Sequence, residues 1–276
     1  MLKKIRSNYI IKTIFNYTQL NLGLKIVKNS KYFQSKLGLK KNDYKEYSQI
    51  IIDLIPETDD SILSEKNIFI NYISEENKKF YHIYFNNDLK TEILRPYFFK
   101  NENVSKIKIY IDHNITSLRD LFEGCNVIKE INFINFNRKN ITDMSSMFQH
   151  CNSLTKINFN KFTTNNVISM NYMFYQCFAL KELNLSNFDT TNVISMKKMF
   201  FECRFLKTII FGEKFKVNKV LNMIYLFYNC YNLIDIDISN FVFDKETDMI
   251  NMFKGCSKKL INKIKKQNNK LKEDAF

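Results

Sequence analysis

Residues 177–203 read CFALKELNLSNFDTTNVISMKKMFFEC, and variants of this phrase return through the second half of the chain. The cysteine marks the period. Cys125, Cys151, Cys177, Cys203, Cys230 and Cys256 are separated by 26, 26, 26, 27 and 26 residues. Nine of the ten methionines keep fixed offsets from these cysteines, so the period does not rest on one residue type. Self-similarity of this length marks a chain assembled from small units, none of which can bury its apolar face alone.

Within a unit, apolar residues lie three, six and eight positions after the cysteine. They are Leu180, Leu183 and Leu185 in the quoted stretch, and Leu154, Ile157 and Phe159 one unit earlier. Alternation at the last two positions predicts a strand, paired in parallel with its copy in the next unit. A phenylalanine follows in every unit, Phe136, Phe162, Phe188, Phe215 and Phe241, and is expected to fill the core. Next come Ser117, Asp143, Ser169, Ser195, Asn222 and Asp248, residue types that cap a helix start. Met170, Met173, Phe174 and Cys177 then follow the i, i+3, i+4, i+7 spacing of one helix face. The expected fold is therefore α/β: a leucine-rich-repeat-type solenoid over residues 105–256, with one parallel strand and one short helix per rung. Its partial first rung would contain the KIKIYI strand at 106–111, and residues 257–276 would close it with a basic amphipathic helix.

Upstream, residues 1–55 read as helical, with apolar groups at Ile10, Ile11, Ile14 and Phe15, at Leu22 to Val27, and at Tyr32, Phe33 and Leu37. In residues 56–104, NIFINYI and FYHIYF alternate around the polar SEENKK, which predicts a β-hairpin. Together these would form an N-terminal helical plus β-hairpin cap region, sealing the open end of the repeats.

The chain has 276 residues, 45% of them hydrophobic, which is enough for a substantial core. Net charge is +14, but residues 1–55 carry +8 and 257–276 carry +5, whereas the repeats carry only +3. Lysine dominates, and lysine reads bases and phosphates less well than arginine, so no specific nucleic-acid partner is expected. No stretch approaches the 18 apolar residues of a membrane span, and the N-terminus lacks a signal-peptide pattern.

No catalytic constellation is visible. His82, His113 and His150 have no metal spacing, and phosphate-binding glycine loops and nucleophile elbows are missing. Zinc sites use cysteines in close pairs, whereas here each cysteine lies one unit from the next. Small buried thiols account better for the row, and unpaired cysteines fit a reducing, cytoplasmic setting. A non-enzymatic protein with no cofactor and no metal is expected.

Two surfaces remain for a protein partner. The outward strand positions give Glu130, Asn132, Lys156, Asn158, Glu182, Asn184, Thr208, Asp235 and Asp237, a polar strip whose rows would lie about 4.8 Å apart. On the other side, Tyr172, Tyr175, Phe201, Tyr225 and Tyr228 fall off the Met-Phe-Cys face. They would either form an interface or wedge between neighbouring units.

The phrases SNFDTTNVISMKKMF and MNYMFYQCFALKELNL resemble the BspA-like leucine-rich repeat, a type of about 26 residues found in bacterial and protist proteins, surface proteins among them. The resemblance implies a protein–protein interaction module or a surface adhesin, although the export signal of the surface members is absent. Residues 5–40, through IIKTIFNY, are vaguely similar to an F-box without its opening Leu-Pro. That similarity implies a Skp-type adaptor as partner and a substrate-receptor role in a ubiquitin ligase.

Overall fold

The isoleucine-rich run at 50–56, expected to end a helical region, is a strand in the computed structural model, which describes residues 31–37, 49–59, 61–71, 73–136, 138–159 and 162–276. Two compact units divide the chain, Met1–Gln49 and Ile50–Phe276. In the first, the described part is the helix Lys31–Leu37 and Gln49. The rest of the F-box-like segment 5–40 lies outside the described residues.

Strand β1 (Ile50–Pro56) is rich in β-branched residues, which suit a pleated, buried surface. Eight further strands follow among the described residues: β2 (Lys66–Ile68), β3 (Tyr81–Phe85), β4 (Tyr97–Phe99), β5 (Ile107–Ile111), β6 (Ile128–Phe136), β7 (Lys156–Asn158), β8 (Glu182–Leu185) and β9 (Thr208–Phe211). β1 is antiparallel to both β5 and β6, with Ile52 opposite Ile109 on one side and Phe133 on the other. β3 extends the sheet beyond β5, and β7 joins β6 in parallel, giving the order β3-β5-β1-β6-β7. Asp53, nearly buried on β1, is held by Lys106 at 2.8 Å and Lys108 at 2.5 Å.

The expected hairpin does not form. β2 pairs with β4 and β3 pairs with β5, because SEENKK holds a one-turn helix, Glu75–Lys78, where a tight turn would be needed. Burial chooses the partners: Ile83, Ile109 and Ile52 fall in one buried row across β3, β5 and β1.

The α/β leucine-rich-repeat solenoid is also overturned. The strands gather in three small sheets, one of them mixed, and do not form one parallel sheet through every unit. Among the described residues no helix lies between Ser117 and Cys256; the next is Lys258–Gln267. What the spacing suggested as helix is a run of turns, and the reason lies in the backbone donors. The N–H groups of Met147, Gln149 and Cys151 close local turns onto Met144, Ser146 and Phe148. Those of Met144, Ser146, Phe148 and His150 instead donate to carbonyls of the following unit, at Ser169, Asn171, Met173 and Tyr175. An α-helix would require every one of these donors to turn back four residues. Two residues per unit take left-handed φ angles to permit the alternation, such as Ser146 at 55° and His150 at 58°.

The cap residues contributed to the misreading. Asp143 accepts a bond from the N–H of Ser145, and Asn222 and Asp248 do likewise two residues on, which is the chemistry of a helix cap used in a turn. Ser117, Asp143, Ser169, Ser195, Asn222 and Asp248 bridge one another in parallel, so the units stack in register.

Buried side chains lock the stack. Phe122, Phe148, Phe174, Phe200, Phe227, Phe253 and Phe276 form a continuous column of stacked rings with centroids 5.2–5.9 Å apart. Beside it, each thiol from Cys151 to Cys256 donates to a phenylalanine carbonyl of the preceding unit at 2.9–3.3 Å. All six cysteines are free and buried, and burial pushes the thiols up, to about 12 for Cys203. One unit is a residue longer, and the extra residue falls between Phe211 and Phe215, where its counterpart has only Ser186 and Asn187 between Leu185 and Phe188. Gly212 makes this fit: a Cβ there would meet the carbonyl oxygen of Ser186 at 2.0 Å.

Arg138 joins sheet to stack. It is 1% exposed and donates to the carbonyls of Asp112 at 2.8 Å, His113 at 2.9 Å and Ile115. Burial pulls its guanidinium down to about 10.

Candidate functional site

The polar strand strip is only partly assembled. Glu130 lies opposite Lys156, their charged groups 3.4 Å apart, and Asn132 lies opposite Asn158. Glu182 pairs with Thr208, and Thr208 bridges Asp235. β7 and β8 belong to different sheets, however, so no continuous ladder runs from Asn158 to Asn184. The strip is also chemically mixed. Exposed Ile210 stands opposite Asn184, Asp235 is tied to Lys263, and Asp237 accepts from Ser239. The Ser239 bonds hold the Asp237 carboxyl below its usual value, so it is a turn acceptor already in use.

The aromatic residues come together fully. Tyr175 and Phe201 stack at 4.8 Å and 8°, and Phe201 and Tyr228 at 4.8 Å and 6°. Tyr172 packs on Tyr175, and Tyr225 on Phe201 and Tyr228. The ammonium of Lys198 sits 5.0–5.8 Å from the centroids of Tyr172, Phe201 and Tyr225, within cation–π range. Phe201 thus has both ring faces covered, and all three rings of the row are half-buried. Burial and Glu202 push the Tyr175 hydroxyl up, so it stays a hydrogen-bond donor through the neutral range. Burial also pushes Glu202 up, but bonds from Gln176, Asn229 and Arg204 together outweigh it and keep the carboxyl below its ordinary value.

A third row was not anticipated. Ile168, Ile194 and Leu221 are 47%, 46% and 47% exposed and are linked by N–H to carbonyl bonds of 2.8–2.9 Å from unit to unit. They occupy the same segment of consecutive units as the aromatic rows, four to seven residues before them. In the next unit the same place, before Asp248, is held by buried Thr247, which ends the row. The signal was in the sequence: each of the three immediately precedes a bridging residue, Ser169, Ser195 or Asn222. Helical spacing had drawn attention to the other side of the unit. Close in sequence to the aliphatic row are Lys197, Lys198 and Lys219; the last reaches Asn192 at 3.3 Å.

Among the described residues no group of three or more His, Cys, Asp or Glu is placed to hold a metal ion. No helix of these residues is long and apolar enough to cross a membrane.

Residues 93–208 and 160–268 match the family described as "Mycoplasma protein of unknown function, DUF285". The chain belongs to this family. The DUF285 matches together span more than half of the sequence and include every residue of the strand strip, the aromatic rows and the aliphatic row. They run through the stacked turns and into the closing helix Lys258–Gln267. No curated protein and no solved structure matches this DUF285 chain.

Proposed function

We propose that the chain is a non-enzymatic interaction module that binds a partner protein through the turn side of its stacked units. One observation carries the reading: Ile168, Ile194 and Leu221 lie exposed in register from unit to unit, and Tyr175, Phe201 and Tyr228 stack in the same units seven residues on. Aligned aliphatic and aromatic rows make an apolar patch of the kind that marks interfaces, where aromatic anchors carry much of the binding. Lys197, Lys198 and Lys219 set the partner's chemistry, an apolar ridge flanked by carboxylates.

A photo-cross-linking residue at position 194, compared with one at Asp237, tests this in source cells. Position 194 is expected to capture one acidic partner, and that capture disappears when I168D and L221D are added to the cross-linking chain with its circular dichroism unchanged. Equal capture from both positions, or capture insensitive to the double substitution, defeats the proposal.

A surface adhesin of BspA type is the second reading. What favours it is that SNFDTTNVISMKKMF, the BspA-like phrase, falls inside the matched family region. The six free, buried thiols favour a reducing compartment instead. Protease treatment of intact cells separates the two, since only an adhesin is cleaved. The Skp-type adaptor reading gains nothing from the DUF285 match, which begins at residue 93.

A further inference from the structure

A cavity of about 490 Å³ opens beside β3, in the N-terminal sheet region and not on the turn side. Its size lies in the range that accepts a small organic molecule. The apolar wall comes from Ile73, Ile83 and Ile93, and the charged lining comprises Lys78, Lys79, Arg95 and a single carboxylate, Glu92. Most of these charges are already engaged. Glu92 is held by Nδ1 of His82 at 2.8 Å, and Arg95 is paired with Glu102. Lys78 has only an exposed contact with Glu75, and Lys79 has no ion pair among the described residues. Leu94, at the same cavity, is 86% exposed, the most of any large apolar side chain described. An apolar wall, an uncovered leucine and two exposed lysine ammonium groups, one in a solvent-exposed ion pair with Glu75 and one over the Phe80 ring, thus meet in one place.

We infer that this cavity binds an amphipathic anion: an acyl chain that ends in a carboxylate. The chain lies against Ile73, Ile83 and Ile93 and is covered by Leu94, and the carboxylate sits between Lys78 and Lys79. A cationic amphiphile would bring like charge to the same two lysines, so the site discriminates by sign as well as by length.

Calorimetric titration of the full chain with saturated C8 to C16 carboxylates, each below its micellar concentration, tests the inference. Affinity is expected to rise about fourfold per methylene and then level off once the cavity is full. Dodecyltrimethylammonium is expected to bind at least about tenfold more weakly than dodecanoate, and K78E/K79E to weaken dodecanoate by about tenfold. L94D is expected to weaken every chain length. These three side chains are exposed, so the variants keep the wild-type circular dichroism. The inference is overturned by an absence of saturable binding, by equal affinity for the two headgroup signs, by a rise with length that never levels, or by wild-type affinity in the variants.

Discussion

The sheet around β1 and the stacked turns after it use the same backbone groups in opposite ways. In the sheet, β1 spends its donors and acceptors on two antiparallel neighbours, and the register is set by which isoleucines face the core. In the stack, donors alternate between a local turn and the next unit, and the register is set by the period of the chain. The sheet therefore constrains its side chains closely, down to a buried aspartate held by two lysines. The stack constrains only its buried rows. Its left-handed positions hold Asp120, Ser146, Tyr172, Lys198, Tyr225 and Asn251, six residues of five kinds at equivalent places. A framework that demands so little of these positions leaves them free to vary.

The sharpest way to break this comparison is at the joint. Arg138→Ala removes a buried charged donor shared by the carbonyls of Asp112, His113 and Ile115, leaving the last two only the Asn140 amide, and is expected to cost about 2–4 kcal/mol in urea denaturation. If sheet and stack separate in that variant, two transitions will appear by far-UV circular dichroism where the wild type shows one.

Within the stack the longer unit is the weak point. Gly212→Ala drives a Cβ against the Ser186 carbonyl and is expected to destabilise by about 1–3 kcal/mol, measured as a lower urea midpoint. The same substitution at Gly124, where a Cβ meets nothing within 4 Å, carries only the penalty of its positive φ.

Smaller again is the thiol row. Cys203→Ala removes an S–H bond to the Phe174 carbonyl and a little volume, and is expected to cost about 1 kcal/mol. In the wild type, burial keeps all six thiols protonated, so a disulfide reagent at pH 8 is expected to react only as the chain unfolds.

The smallest effect lies beside the sheet. The Arg95 bond holds Glu102 below its ordinary carboxylate value, against burial acting the other way. A carboxylate lowered in the folded state stabilises at neutral pH, and that contribution is lost as pH falls through the folded value. Glu102→Gln should therefore lower Tm at pH 7, and the gap to wild type should close by about pH 2. A gap independent of pH would mean that the Glu102 charge has no part in it.

The period and the buried rows were legible because burial repeats wherever the backbone repeats: Met170, Met173, Phe174 and Cys177 are buried in the positions their spacing indicated. The backbone that presents them was not legible. Apolar residues at i, i+3, i+4 and i+7 describe a one-sided surface, and a run of turns with left-handed residues at Tyr172 and Gln176 produces the same surface as a helix. Nothing in Tyr172 or Lys198 announces a positive φ, since the residues that ordinarily do so are Gly, Asn and Asp. At the other end, IIIDLIP reads equally as strand or buried helix, and β5 and β6 decide it from 53 to 86 residues away. The aromatic cluster was legible as residues off the buried face. Its stacking, and the aliphatic row beside it, needed the unit-to-unit register.

The sharing of donors between units also bears on copy number. Excising one period, such as residues 152–177, would join a cysteine to the residue that follows a cysteine and restore every row one step shorter. The same arithmetic permits duplication. Unequal exchange between neighbouring copies in the gene could thus lengthen or shorten the exposed rows in steps of 26 or 27 residues while leaving both ends of the column, and the cavity near residue 90, unaltered.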